Sequence, residues 1–196
     1  VFYKFDKEIR LLLGLDFRLR STDRKVLDQQ ILPWFVANEQ VKTVLFVGTD
    51  VYTTHYARMF GHCNYHTLEP NPKKARFGSA QHTVGVLQDL ATYYPPHYFD
   101  LIICNGVYGW GLNERQDIEK AFLACHQCLQ QGGYLLLGRN ELPQYAPVKL
   151  DEIEALKRFR REAFGGTDTS IIKVGNSHQH VFELFRKEMW MNVTNR

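Results

Sequence analysis

The sequence predicts an α/β domain: a mostly parallel sheet with helices on both faces, finished by an antiparallel C-terminal hairpin. Three observations carry that expectation. Short apolar runs at Thr43–Val47, Tyr65–Leu68, Thr83–Val86, Asp100–Cys104 and Tyr134–Leu137 alternate with amphipathic stretches, the order that yields parallel strands joined by crossover helices. Two later runs, Ser170–Val174 and His180–Phe185, are joined through Gly175-Asn176-Ser177, and so short a connection makes the pair antiparallel. The 196 residues, 44% of them hydrophobic, are enough for one domain with a substantial core.

Taken in order, residues 1–40 read as an N-terminal helical extension or lid, with Ile31, Leu32, Trp34 and Phe35 in an apolar stretch broken by Pro33. Residues 41–196 form the main body. Its first strand leads to a tight turn at Gly48 and a helix beginning near Thr53 or Thr54; the second strand ends at Glu69, before a short helix at Lys73–Gly78. A longer helix is expected from an N-cap at Asn113, with Gln116 reaching back as in a capping box, to a stop at Gly132-Gly133. Another is expected over Leu150–Phe164, turning Ile153, Leu156, Phe159 and Phe164 inward and its basic residues outward.

Composition narrows the function classes. A net charge of +3, from 24 basic and 21 acidic residues, gives a weak overall field and no mark of a nucleic-acid binder. The basic clusters Lys157, Arg158, Arg160, Arg161 and Arg18, Arg20, Arg24, Lys25 read as solvated faces, so nucleic acid is not an expected partner. No apolar run approaches the roughly 20 residues that span a bilayer; the expectation is a cytoplasmic protein without a membrane partner. Cys125 and Cys128 form a C-x-x-C, but Ile118, Ala121, Phe122, Cys125, Cys128 and Leu129 recur as one helix face, which assigns both thiols to the core and no metal to the chain.

The ordered segments VLFVG, LEP, LQDL, FDLIICNGVYGWGL and LQQGGYLLLG resemble the motifs of class I S-adenosylmethionine-dependent methyltransferases, from about Val41 to the end of the chain. The resemblance implies a Rossmann-like seven-stranded sheet whose last strand is antiparallel, with S-adenosylmethionine as cofactor. It puts Gly48 and its neighbours Thr49, Asp50, Tyr52 and Thr53 at the methionine part. Glu69, followed by Pro70, falls to the ribose, Asp89 and Leu90 to the adenine, and Asn105-Gly106 beside the sulfonium.

Each position also has its own physical reading. Glu69 ends an apolar strand, where crevices in α/β sheets open to ligands, and a carboxylate there accepts from two ribose hydroxyls; otherwise it stabilises the next helix dipole. Asp89 can accept from an exocyclic amine or serve as a loop cap. Asn105-Gly106 follows a strand apolar enough to be central. Gly106, Gly109 and Gly111 interleave with Tyr108 and Trp110 in an aromatic loop suited to an organic substrate or a sulfonium.

The turn departs from the family pattern. Phe46 stands where an acid is usual, and Asp50 and Tyr52 replace glycines. The expectation is that Asp50 pairs with the α-ammonium of the cofactor while Thr49, Tyr52 or Thr53 binds its carboxylate. An aspartate here repels a pyrophosphate, which sets NAD behind S-adenosylmethionine. Methyl transfer is a displacement at carbon, catalysed largely by alignment in a dry site. Where an oxygen acceptor needs a base, the candidates are His55, His178 and His180, with Tyr56, Tyr108 and Trp110 shaping the pocket. The expected activity is methylation of a small organic acceptor at oxygen or nitrogen. The alternatives are a non-catalytic methyltransferase-like binding module, which the eroded turn motivates, and a Rossmann enzyme using another nucleotide cofactor.

Overall fold

A computed structural model of the chain describes residues 16–175 and 177–188. Strand β1 (Thr43–Val47) sits near the middle of the sheet, and its successive side chains alternate between two apolar faces, as a strand covered on both sides requires. Around it lie β2 (Asn64–Glu69), β3 (Gln81–Val84), β4 (Phe99–Asn105) and β5 (Leu129–Asn140), all parallel in the order β3-β2-β1-β4-β5. The sheet continues through β8 (His180–Lys187), antiparallel to β5, to β6 (Phe159–Arg161). Strand β7 (Ile171–Lys173) pairs with β8 further along the same edge, so eight segments fill seven sheet positions.

One face is covered by the N-terminal helices. Helix α1 (Thr22–Val26) widens into a π-helical stretch, Leu27–Ile31, and continues as α2 (Leu32–Val36). The widening directly precedes Pro33, which lacks an N–H and whose ring crowds the turn before it. Leu27, Ile31, Leu32 and Phe35 pack there with Val44, Phe46, Leu101, Ile103 and Tyr56. Of the 1–40 segment, residues 22–36 are helical, and residues 1–15 lie outside the described residues.

The opposite face carries α5 (Arg115–Cys128), whose Ile118, Phe122, Cys125 and Cys128 pack on Leu45, Ile102 and Leu135. Burial pushes the Cys104 thiol up to about 12 and the Cys128 thiol up to about 11. Both are packing groups at neutral pH. Among the described residues no helix is long and apolar enough to cross a membrane.

Four local expectations are corrected. Helix α5 is capped at Glu114 without a side-chain bond, not at Asn113, and it ends at Cys128 because Leu129 already pairs with Phe99 in the sheet. Gly132-Gly133 therefore interrupts β5, where the register jumps from Leu129 to Tyr134. The helix C-terminus is closed instead by Lys187, whose Nζ donates to the carbonyls of His126 (2.6 Å) and Leu129 (2.8 Å). The segment Leu150–Phe164 is not a helix. It forms 3-10 turns at Leu150–Glu152 and Leu156–Arg158 and then strand β6, since Glu119 takes the N–H groups of Glu154 and Ala155 and the edge of β8 takes Phe159–Arg161. The stretch after Pro72 is a 3-10 helix, Pro72–Phe77.

Finally, β3 stops at Val84, two residues short of the expected Val86. Gly85 still donates to Glu69 O, and a Cβ on it would lie 2.6 Å from the Tyr93 ring, a close approach that glycine permits.

Candidate active site

The C-terminal ends of β1, β2, β4 and β5 open on one side of the sheet, where ligand crevices of α/β folds form. A cavity of about 610 Å³ lies there. Its first corner is built by backbone. Gly48 has φ +85°, a left-handed turn that glycine adopts without strain, and its N–H donates to Leu68 O at 2.8 Å. The turn brings the Thr49 N–H 3.2 Å from Glu69 Oε2, while Glu69 Oε1 accepts from the Asn71 N–H at 3.1 Å. Each oxygen retains a lone pair, and the carboxylate lines the cavity beside Gly48, Thr49 and Pro70.

The second corner is built by side chains. Asn105, at the end of β4, Asn140, at the end of β5, and His180, at the start of β8, are all buried. His180 Nδ1 lies 2.7 Å from Asn140 Oδ1, and its Nε2 lies 3.1 Å from Asn105 Oδ1. Burial lowers the His180 pKa to about 4, aided by the charges of Arg24, Arg139 and His178 and opposed by Asp23. A neutral ring has one N–H, so the trio closes when one amide presents its NH2. Gly138 makes room for it, since a Cβ there would fall 1.9 Å from Asn105 Oδ1.

Of the residues singled out in the sequence, Arg24, Gly48, Thr49, Tyr52, Glu69, Pro70, Asn105, Gly106, Trp110, Gly111, His178 and His180 line the cavity. The others do not. Asp50 caps the 3-10 helix Val51–Thr53, bonded to the Val51 N–H and the Thr53 hydroxyl, and its Oδ2 lies 3.2 Å from Lys74 Nζ. Burial works against the Lys74 charge, but the bond to Asp50 and its charge raise the ammonium above its ordinary pKa. Asp50 is thus committed to Lys74 rather than turned to the cavity, and Thr53 closes the cap.

Asp89 is exposed and Leu90 is a core residue, because the 3-10 helix Leu87–Asp89 presents Val86, Leu87 and Gln88 to the cavity instead. His55 is buried away from the cavity, its Nε2 3.2 Å from Asp28 Oδ2. Tyr56 and Tyr108 are core rings, not pocket walls. Tyr56 donates to Asp28 Oδ1 at 2.6 Å and packs on Phe46, and Tyr108 donates to Val148 O. Trp110 is exposed at the mouth, stacked on Tyr145 with ring centroids 4.5 Å apart.

Sequence reasoning missed Val86–Gln88, Arg139, Asn140 and Asp23, and it assigned Arg24, which lines the cavity, to a solvated face. Gly85 was a usable signal for the first group, and for Asn140 the matched ends of β4 and β5, with Asn105 paired to Gly138. Nothing local marked Asp23.

Residues 46–137 match the family model described as "Methyltransferase domain". With the fold and the motif order, this match supports a class I S-adenosylmethionine-dependent methyltransferase family. These findings support methyltransferase activity with S-adenosylmethionine as the cofactor.

The N-methyltransferase NodS from Bradyrhizobium japonicum, in complex with S-adenosyl-L-homocysteine, is similar with TM-score 0.63 at 16% identity, covering 86% of this chain and 93% of that one. A TehB-like S-adenosylmethionine-dependent methyltransferase from Corynebacterium glutamicum gives 0.61 at 14%, covering 95% and 96%. The 16S rRNA N2 G1207 methyltransferase of T. thermophilus, in complex with AdoMet and guanosine, gives 0.51 at 16%, covering 80% and 38%. These likenesses concern the fold. No curated protein matches the chain in sequence.

Proposed function

We propose that the chain transfers the methyl group of S-adenosylmethionine to a small organic acceptor at oxygen or nitrogen, in the cavity between the two corners. The observation that carries this is the convergence of the Gly48 turn, the Glu69 carboxylate and Asn105-Gly106 on one cavity. The lining fits the cofactor. Gly106 has φ +70° and nothing within 4 Å of where a Cβ would stand, so its bare backbone leaves the space a ligand needs. Glu69 is free to accept from ribose hydroxyls, and Val86 and Leu87 offer an apolar seat for adenine.

When bound, the cofactor supplies an electrophilic methyl group on a sulfonium. The chain's part is alignment and exclusion of water: Asn105 and Gly106 face the reacting centre, and Trp110 with Tyr145 bounds the mouth. His180, held neutral with a pKa near 4, orients an acceptor better than it deprotonates one. Where a base is needed, His178 at the cavity rim is the one of the three histidines placed to serve. Net charge does not decide against nucleosides or nucleic acid, because a pocket receiving a single base needs no extended basic face. The fold-level likeness to an rRNA enzyme places nucleosides in the acceptor panel.

Thermal unfolding tests the cofactor side. S-adenosylhomocysteine at 100 times its dissociation constant should stabilise the protein by about 2.7 kcal/mol, and NAD should not; stabilisation by NAD alone overturns the proposal. Transfer of labelled methyl from S-adenosylmethionine to a panel of amines, hydroxyl compounds and nucleosides then identifies the acceptor class.

A further inference from the structure

Phe46 and Tyr52, which stand where the family pattern has an acid and a glycine, are both engaged by the N-terminal helical segment. Phe46 packs against Tyr56 with ring centroids 4.9 Å apart, and the Tyr56 hydroxyl donates to Asp28 in the π-helical stretch. Arg24 lies over the Tyr52 ring, its guanidinium carbon 4.9 Å from the centroid, and donates to the Tyr56 hydroxyl at 3.4 Å. The altered turn thus fixes α1 through aromatic contacts that a glycine-rich turn cannot make. The result is that Asp23 and Arg24 line the cavity together with Gly48 and Thr49.

We infer that Asp23 and Arg24 form the subsite for the amino-acid end of S-adenosylmethionine, Asp23 accepting from the α-ammonium and Arg24 donating to the α-carboxylate. This deepens the cofactor reading and rests on it. An adjacent anion and cation complement a zwitterion that carries both charges on one carbon, and charge-assisted hydrogen bonds are the strong ones.

Three positions of the turn region serve other ends. Asp50 pairs with Lys74, Glu69 holds the Thr49 and Asn71 N–H groups, and Phe46 has removed the strand acid. Asp23 and Arg24 line the same cavity as Gly48, Thr49 and Asn105. The lost acid of β1 is therefore replaced from outside the sheet.

Isothermal titration with two ligands tests this. S-adenosylhomocysteine carries the amino-acid end; 5′-methylthioadenosine has the same adenosine and sulfur without it. Asp23→Asn and Arg24→Gln should each weaken S-adenosylhomocysteine by about tenfold or more and leave 5′-methylthioadenosine within about twofold, a binding that also reports an intact fold. If Arg24→Gln does not fold, Asp23→Asn carries the test by itself. Unchanged binding of S-adenosylhomocysteine, or equal loss of both ligands, overturns the subsite alone. A parent protein that binds neither ligand overturns the cofactor reading and the subsite with it.

Discussion

The two corners of the cavity are made in opposite ways. At the Gly48 corner, Thr49 and Glu69 lie 20 residues apart in one strand-helix-strand unit, and the bonds run from backbone N–H groups to one carboxylate. At the Asn105 corner, His180 reaches partners 40 and 75 residues away, and all three groups are side chains. A backbone-built corner is fixed once the two strands pair in register. A side-chain corner exists only when β4, β5 and β8 are all assembled, so its integrity reports on the whole sheet.

The largest effect is expected from removing the single carboxylate that holds the first corner. Glu69→Ala orphans the N–H groups of Thr49 and Asn71 and should lower stability by about 4 kcal/mol, from two charge-assisted bonds. Glu69→Gln, which keeps one acceptor oxygen, should recover part of it. Urea unfolding measures both, and equal stability of Glu69→Ala and the parent would show that the turn is held by something other than this carboxylate.

The second corner is probed by acid. A His180 imidazole takes up its proton near pH 6.5 when unfolded and near 4 when folded. Between those values the unfolded chain binds more protons, so stability is full above pH 6.5 and falls as pH drops toward 4, by on the order of 3 kcal/mol. His180→Gln should flatten that part of the stability profile, and an unaltered profile would mean that the ring does not titrate as its burial implies.

A smaller loss, about 2 kcal/mol, is expected for Gly138→Ala, whose methyl collides with Asn105 Oδ1. Its unfolding midpoint should fall while the Gly48 corner keeps its hydrogen-exchange protection. Loss of protection at both corners would show that they are coupled rather than separate.

The same contrast explains what was legible in the sequence. Strand β1 emerged with its full bounds and Glu69 at the end of β2, because apolar runs and a following proline are local signals. The Asn113 cap and the Gly132-Gly133 stop failed because Lys187, far along the chain, supplies the closure that the glycines were expected to give. Helical spacing in Leu150–Phe164 was real, yet the unpaired edge of β8 claimed Phe159–Arg161; tertiary pairing overrode periodicity. Tyr56 and Tyr108 looked like pocket residues because a sequence does not say which side of a strand or loop is sealed. Asp23 carried no signal and Arg24 only that of a basic cluster, since their place depends on α1 docking against the altered turn.

The broken outer position of the sheet has a bearing on how copies of this chain meet. Strands β6 and β7 are three residues each, and β3, on the other margin, is four. Arg160, Arg161 and Lys173 add charge along the first margin. Margins so short and so charged offer no run of unpaired backbone groups on which a neighbouring chain can extend the ladder. The interruption that splits one strand into two therefore protects the fold against edge-to-edge aggregation.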